Sequence, residues 1–188
     1  MIAEFGLAAL WLAAALAVLQ LVLGITALRE GREAVLPGVR RVAVVQALLA
    51  AAAFFSLILL FLRVDLSVLL VVQNNHSDKP WLYKFAGTWG NHEGSMLMWV
   101  TILAVAGGAV ALLERRLNER TLIATLAAQA AIAIGFYGFL LFASNPFARI
   151  SPAPADGQGL NPLLQDPGLA FHPPTLYIGY VGLSIAFS

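Results

Sequence analysis

Four stretches of about 20 residues without a charged side chain constrain this chain more than anything else in it. They are 5–28, 42–62, 95–113 and 122–143, broken chiefly by Gln, Ser and Thr. Hydrocarbon offers backbone N–H and C=O groups no partner, so runs of this kind cross a bilayer as helices that satisfy their own hydrogen bonds. A fifth run opens near Thr175 and is still apolar at Ser188. The expected fold is therefore all-α: a polytopic transmembrane bundle of four complete spans and the start of a fifth at 175–188. The 188 residues form one integral-membrane region. Because the last run stops mid-span, the chain reads as a fragment of a longer protein.

Composition agrees with that reading and narrows function. Hydrophobic residues make up 60% of the chain and charged residues 11%, against roughly a quarter charged in soluble domains. The net charge of +1 supplies no basic field, and nucleic acid is excluded as a partner. Cysteine is absent, which excludes disulfides, thiolate metal sites and a cysteine nucleophile.

The first run is not a secretory signal: Glu4 precedes it where a basic segment would be needed, and Arg29 and Arg32 follow it. Loop charge then sets the orientation. The short connections 29–41 and 114–121 carry Arg29, Arg32, Arg40, Arg41, Arg115, Arg116 and Arg120, which leaves only Arg63, Lys79, Lys84 and Arg149 elsewhere. The arginine-rich loops are expected in the cytoplasm. The N-terminus and the long connections 63–94 and 144–174 then face outward, into the periplasm if the membrane is a bacterial inner membrane. Those outer loops carry Trp81, Tyr83, Phe85 and Trp89 in the first, and Phe147, Ile150, Leu160, Leu163, Leu164, Leu169 and Phe171 in the second. Such side chains pack against the bilayer interface, each other or a flat apolar ligand. Within the spans, Gly107-Gly108, Gly135 and Gly138 permit close helix approach.

His76, His92 and His172 all fall on the outer side and none lies in a span. Transporters and pumps place ionisable groups within the membrane, so ion translocation by this stretch is disfavoured. His172 stands in Leu169-Ala-Phe-His-Pro-Pro-Thr-Leu-Tyr177. Pro173 steers His172 towards extended backbone and Pro174 restricts Pro173 in turn, while proline suits the first turn of a helix. The Pro pair is expected to open the fifth span, with His172 at or just before its N-cap. There the helix dipole disfavours imidazolium and leaves the neutral ring that a metal ion requires. A histidine so placed can ligate haem iron axially; it can equally cap the helix or sit among headgroups.

Gly90-Asn-His-Glu-Gly-Ser95 puts His92 and Glu93 just before the third span. Glu93 suits a helix N-terminus and Ser95 is the expected N-cap. That reading needs no ligand, but the two glycines also allow close approach to one, and His92 could bind metal or donate to a carboxylate. His76, among small polar neighbours, reads as a surface histidine. Asn161-Pro-Leu-Leu-Gln-Asp-Pro-Gly168 has two proline-centred turns around an apolar pair and reads as an ordered loop. With no nucleophile elbow, no catalytic residue is assigned and a hydrolase is disfavoured.

Taken together, Gln73-Asn74, Pro80-Trp81 with Tyr83-Lys84, Trp89-Gly90, His92-Glu-Gly-Ser95, Ser144-Asn-Pro-Phe147, the Asn161–Gly168 segment and Phe171-His-Pro-Pro174 resemble the CcmF-type cytochrome c haem lyase subunits. The likeness runs nearly end to end from Gln73; the first two spans match only in hydropathy and order. It implies a haem-handling protein of the bacterial inner membrane that receives haem b from a periplasmic haem chaperone. Such a protein presents the haem to apocytochrome c for thioether attachment, alongside other cytochrome c maturation subunits and membrane lipid. It further implies that His172 is one of two periplasmic histidines clasping the haem iron, and that His92 belongs to the haem pocket or anchors a loop. His76 inherits no role. The family's tryptophan-rich segment, the partner periplasmic histidine and two transmembrane histidines lie beyond Ser188 in such proteins. These 188 residues alone are accordingly not expected to perform ligation. Multiple spans and aromatic outer loops also fit a membrane subunit of a quinone-linked or ion-translocating redox complex, or a scaffold that only docks partners.

Overall fold

The computed structural model describes residues 1–31, 33–162, 165–186 and 188, except for the side chains at 33 and 169. Arg32, the Leu163-Leu164 pair and the Leu169 side chain, all singled out above, lie outside what is described. The described residues form seven α-helices: α1 (Ile2–Glu30), α2 (Leu36–Leu62), α3 (Leu69–Asn74), α4 (Trp81–Gly87), α5 (His92–Leu113), α6 (Glu119–Phe142) and α7 (Pro167–Ala186). α1, α2, α5 and α6 are long and apolar enough to cross a membrane. They coincide with the four expected runs and extend each by a few residues.

Helix ends follow local chemistry. α1 stops at Gly31, whose φ of 64° and ψ of 27° let its N–H reach the Ala27 carbonyl. That left-handed conformation suits glycine. Pro37 lies in the first turn of α2, where a missing N–H is no loss. Asn118 opens α6 by accepting the Thr121 N–H at 2.7 Å. α5 begins earlier than expected, because Asn91, not Ser95, is the N-cap: its Oδ1 accepts the Gly94 N–H at 2.7 Å.

α1 packs on α2 and α6, α2 on α5, and α5 on α6, closing a four-helix ring; α7 lies mainly along α5. In lipid the hydrophobic effect does not hold helices together, so contact depends on small residues and buried polar bonds. Both are present. Ala9, Ala13 and Ala17 of α1 and Ala43, Ala47, Ala50 and Ala53 of α2 are buried. A β-carbon on Gly24 would lie 2.7 Å from Ala127 Cβ, and one on Gly108 would lie 2.8 Å from Ala47 Cβ. Gly108 thus makes the close approach expected of it, whereas Gly135 and Gly138 face open space. Across the helices, Gln20 Nε2 donates to the Leu126 carbonyl at 2.7 Å, Gln46 Nε2 to Tyr137 Oη at 3.3 Å, and Thr101 Oγ1 to the Ala50 carbonyl at 3.3 Å. At most 50% of the most apolar stretch of any spanning helix is buried, leaving Trp11, Leu48, Phe55 and Leu112 among the exposed apolar side chains.

Candidate functional site

The informative motifs gather at the arginine-poor end of the bundle, where the two long connections form one structure. Val68 and Arg149 face each other across an antiparallel bridge. Leu69 N–H donates to the Ala148 carbonyl at 2.9 Å and Ile150 N–H to the Ser67 carbonyl at 3.0 Å. Further along, Gln158 N–H reaches the Val72 carbonyl at 2.7 Å and Gly159 N–H the Asn75 carbonyl at 3.0 Å. Asn75, fully buried, donates from Nδ2 to the Phe61 carbonyl at 2.6 Å, which fastens the connection to the end of α2. Arg149 bonds Glu4 and Ser67, tying the start of α1 to the same platform.

The three histidines do not converge, and among the described residues no cluster of three metal-ligating side chains exists. His76 is half-buried. Its Nδ1 accepts the Asp78 N–H at 3.2 Å and its Nε2 faces Asp156 Oδ2 at 3.4 Å. Ser77 bonds the same carboxylate through its hydroxyl and N–H. The surface histidine of the sequence reading is thus one side of a clamp between the two connections. Ser77's hydroxyl, followed by the Gly157 N–H, holds the Asp156 carboxyl below its ordinary pKa.

His92 is the first residue of α5. Its Nδ1 lies 3.2 Å from Ser144 Oγ and its ring meets Phe139 edge-on, with centroids 5.4 Å apart. Ser95, freed from capping, bonds Tyr177 through the two hydroxyls at 2.6 Å. Gly94 does make a close approach, but to its own chain: a β-carbon there would stand 1.6 Å from the Thr88 carbonyl oxygen.

His172 departs from the expected place. α7 begins at Pro167, so His172 lies in its second turn and not at an N-cap, and Pro173 and Pro174 sit inside the helix. The start is set earlier by Asp166, whose Oδ1 accepts the Gly168 N–H at 2.7 Å, with Pro167 in the favoured first position. The two inner prolines supply no N–H to the preceding turn. Thr175 Oγ1 donates back along the helix, to the carbonyls of Phe171 at 3.1 Å and His172 at 2.8 Å. The His172 ring is exposed. It shares a face of α7 with Leu176 and Leu183, four and eleven residues on. Ala170, Tyr177 and Val181 turn inward against α4 and α5.

Residues 89–188 match the family described as Cytochrome C assembly protein. The cytochrome c-type biogenesis protein ccl1 of Rhodobacter capsulatus is 50% identical over the whole chain. The cytochrome c-type biogenesis protein CcmF of Pseudomonas aeruginosa is 46% identical, again over the whole chain. The chain belongs to the CcmF-type cytochrome c assembly family. A solved structure of Cytochrome c Heme Lyase CcmF superposes with a TM-score of 0.86 at 26% identity, covering 100% of this chain and 29% of that one. The chain spans 29% of the length of both curated relatives. Membership makes it a multi-pass membrane protein of cytochrome c biogenesis, as the motifs suggested.

In this CcmF-type chain the matched region opens on Trp89, which is buried against Phe85 at 4.7 Å and Phe54 at 6.4 Å. Ala170 of α7 joins the same cluster. The aromatic residues of the first connection therefore divide. Phe85 and Trp89 pack against each other and the bundle, whereas Trp81 is exposed. Sequence reasoning passed over Lys79, which is buried with its Nζ donating to the Asn74 carbonyl at 2.8 Å. Burial, with the nearby charge of Lys84 second, pushes its pKa down from 10.5 to about 8. Only the unusual Asn-Asn-His-Ser-Asp-Lys-Pro run hinted that this polar segment is folded inward.

Proposed function

We propose that this chain is the haem-facing part of a CcmF-type haem lyase subunit in a bacterial inner membrane, with the platform of long connections in the periplasm and the arginine-rich loops in the cytoplasm. The 188 residues act as one integral-membrane haem-handling region. Haem b is its cargo, delivered by a periplasmic haem chaperone and passed to apocytochrome c with the help of other maturation subunits. Attachment adds each apocytochrome thiol across a haem vinyl group: sulfur bonds one vinyl carbon, the thiol hydrogen ends on the other, and no net oxidation occurs. The subunit's contribution is positional, fixing which vinyl meets which thiol.

One observation carries this reading. His172 presents an exposed imidazole whose ring nitrogens bond to no described residue, on a helix pinned one turn later by the Tyr177–Ser95 bond. A neutral ring nitrogen free of protein partners can take an axial position on iron. Tyr177 lies beside Ser95, the fourth residue of α5, so His172, about 7 Å earlier along α7, is level with the beginning of α5 or beyond it. The exposed apolar face of α7 below it suits a porphyrin edge. His76 has both ring nitrogens engaged, by the Asp78 N–H and by Asp156, and is not offered as a ligand; the Ser144 contact of His92 occupies Nδ1 alone, and we do not place this ring on the iron. His92 instead anchors α5 to α6.

The test is spectroscopic and uses the full-length protein. His172→Ala should shift or abolish the axial-ligand signature of bound haem and stop holocytochrome c production, while leaving the protein folded and membrane-inserted. An unchanged spectrum with normal maturation would remove His172 from the mechanism.

A further inference from the structure

At the arginine-rich end, remote from the site above, the start of α2 and the end of α5 enclose an open groove of about 400 Å³, with Arg40, Arg41, Val44, Val45 and Leu112 in its lining. Its two parts differ in chemistry. Val44, Val45 and Leu112 form an apolar wall that continues along the spans, with Val45 and Leu112 facing outward. Arg40 and Arg41 stand at its mouth. Arg40 reaches across from α2, its Nη2 donating to the Glu114 carbonyl at 3.1 Å just past the end of α5. Its Nε–H is buried and meets no acceptor among the described residues.

A guanidinium N–H without an oxygen acceptor is costly. The Glu114 carboxylate is turned to its own chain, where Oε1 accepts the N–H groups of Arg116 and Leu117. A groove of similar size, about 380 Å³, lies between α1 and α2 towards the other end, lined by Ile2, Phe5, Ala52, Phe55 and Leu59 among others. No charged side chain lines it. Both grooves can hold an acyl chain, but only the first pairs an apolar wall with two cations where the spans end.

We propose that the α2–α5 groove is a binding site for an anionic membrane phospholipid, with Arg40 and Arg41 holding its phosphate oxygens and Val44, Val45 and Leu112 its first acyl segment. Charge complementarity selects the occupant. A guanidinium fork matches phosphate, and two arginines at the membrane boundary favour an anionic headgroup over a zwitterionic one. Position selects lipid over solute, because the wall below the arginines belongs to residues that face hydrocarbon.

The experiment counts lipids retained by the full-length protein in native mass spectrometry, with phosphatidylglycerol and phosphatidylcholine offered in equal amounts. Wild type should retain phosphatidylglycerol over phosphatidylcholine by at least about tenfold, and the double variant Arg40→Gln, Arg41→Gln should abolish that preference. Leu112→Trp, which fills the groove and keeps both cations, should also lower retention, and it decides the matter if the double variant does not fold. Ala52→Trp, in the uncharged groove, should change nothing. Undiminished phosphatidylglycerol preference in both groove variants would overturn the proposal. So would displacement of the lipid by millimolar inorganic phosphate with no headgroup preference remaining, since free phosphate would then be the ligand.

Discussion

The Nδ1 of His92 lies 3.2 Å from the hydroxyl oxygen of Ser144, so the first residue of α5 is tied to the chain just beyond α6. The same ring rests edge-on against Phe139. Both contacts belong to the protein itself, and His172 has none of this kind among the described residues.

His92→Ala should therefore cost stability and leave haem ligation alone. Losing one hydrogen bond and one edge-on aromatic contact amounts to about 2 kcal/mol. Ser144→Ala should lose about 1 kcal/mol, and the double variant less than the sum of the two. Thermal unfolding of the full-length protein in detergent measures this. Loss of the haem absorbance signature in His92→Ala at temperatures where the protein stays folded would make His92 a ligand instead.

Gly94 offers a sharper structural test. A β-carbon at this position would overlap the Thr88 carbonyl oxygen, at 1.6 Å, so the α4–α5 corner must open to admit one. Gly94→Ala should lower stability by about 3 kcal/mol or more. Gly135→Ala, in the open on α6, should be neutral or slightly stabilising. Equal thermal midpoints for the two variants would contradict the geometry of this corner.

Lys79 should make the platform firmer in alkali. Its pKa is about 8 in the folded chain against an ordinary 10.5, so between those values an opened platform binds a proton that the closed one does not. Stability consequently rises with pH across that window, and below pH 8 the burial penalty on the ammonium is present in full. Hydrogen exchange over residues 74–89, corrected for intrinsic rates, should slow between pH 8 and pH 10. In Lys79→Met that pH dependence should vanish.

Asp156 works in the opposite sense. Its carboxyl is held below the ordinary value of 3.8, first by Ser77 and least by the charge of His76. Its stabilising contribution is therefore complete above that value and lost as pH falls through the lower, folded one. Asp156→Asn should raise hydrogen exchange in residues 76–78 at neutral pH, and the difference from wild type should disappear in strong acid. Identical exchange at pH 7 would show that the His76–Asp156 clamp does not hold the two connections together.

Hydropathy made the membrane helices legible, because each crossing run satisfies its own backbone and needs no knowledge of its neighbours. Arginine counting separated the two ends on equally local grounds. Capping was harder to read. Asn91 and Ser95 are both good N-caps, and the choice fell to Asn91 because Ser95 is drawn to Tyr177, 82 residues away. Asp166-Pro167 carries a sound start signal for α7, ahead of the more conspicuous Pro173-Pro174.

The sequence by itself determined that this chain crosses a membrane several times, which loops carry its positive charge, and, through its long outer motifs, which family it belongs to. Only the tertiary structure decided that Gly24 and Gly108 make close helix contacts while Gly135 and Gly138 do not. It also decided that His76 clamps Asp156, that His92 is taken by Ser144, and that His172 is left bare. The division has one physical cause. Transfer into hydrocarbon is a property of a single segment and is written in its composition. Which polar atom meets which partner depends instead on how separate helices pack, and that is set by side chains remote in the chain.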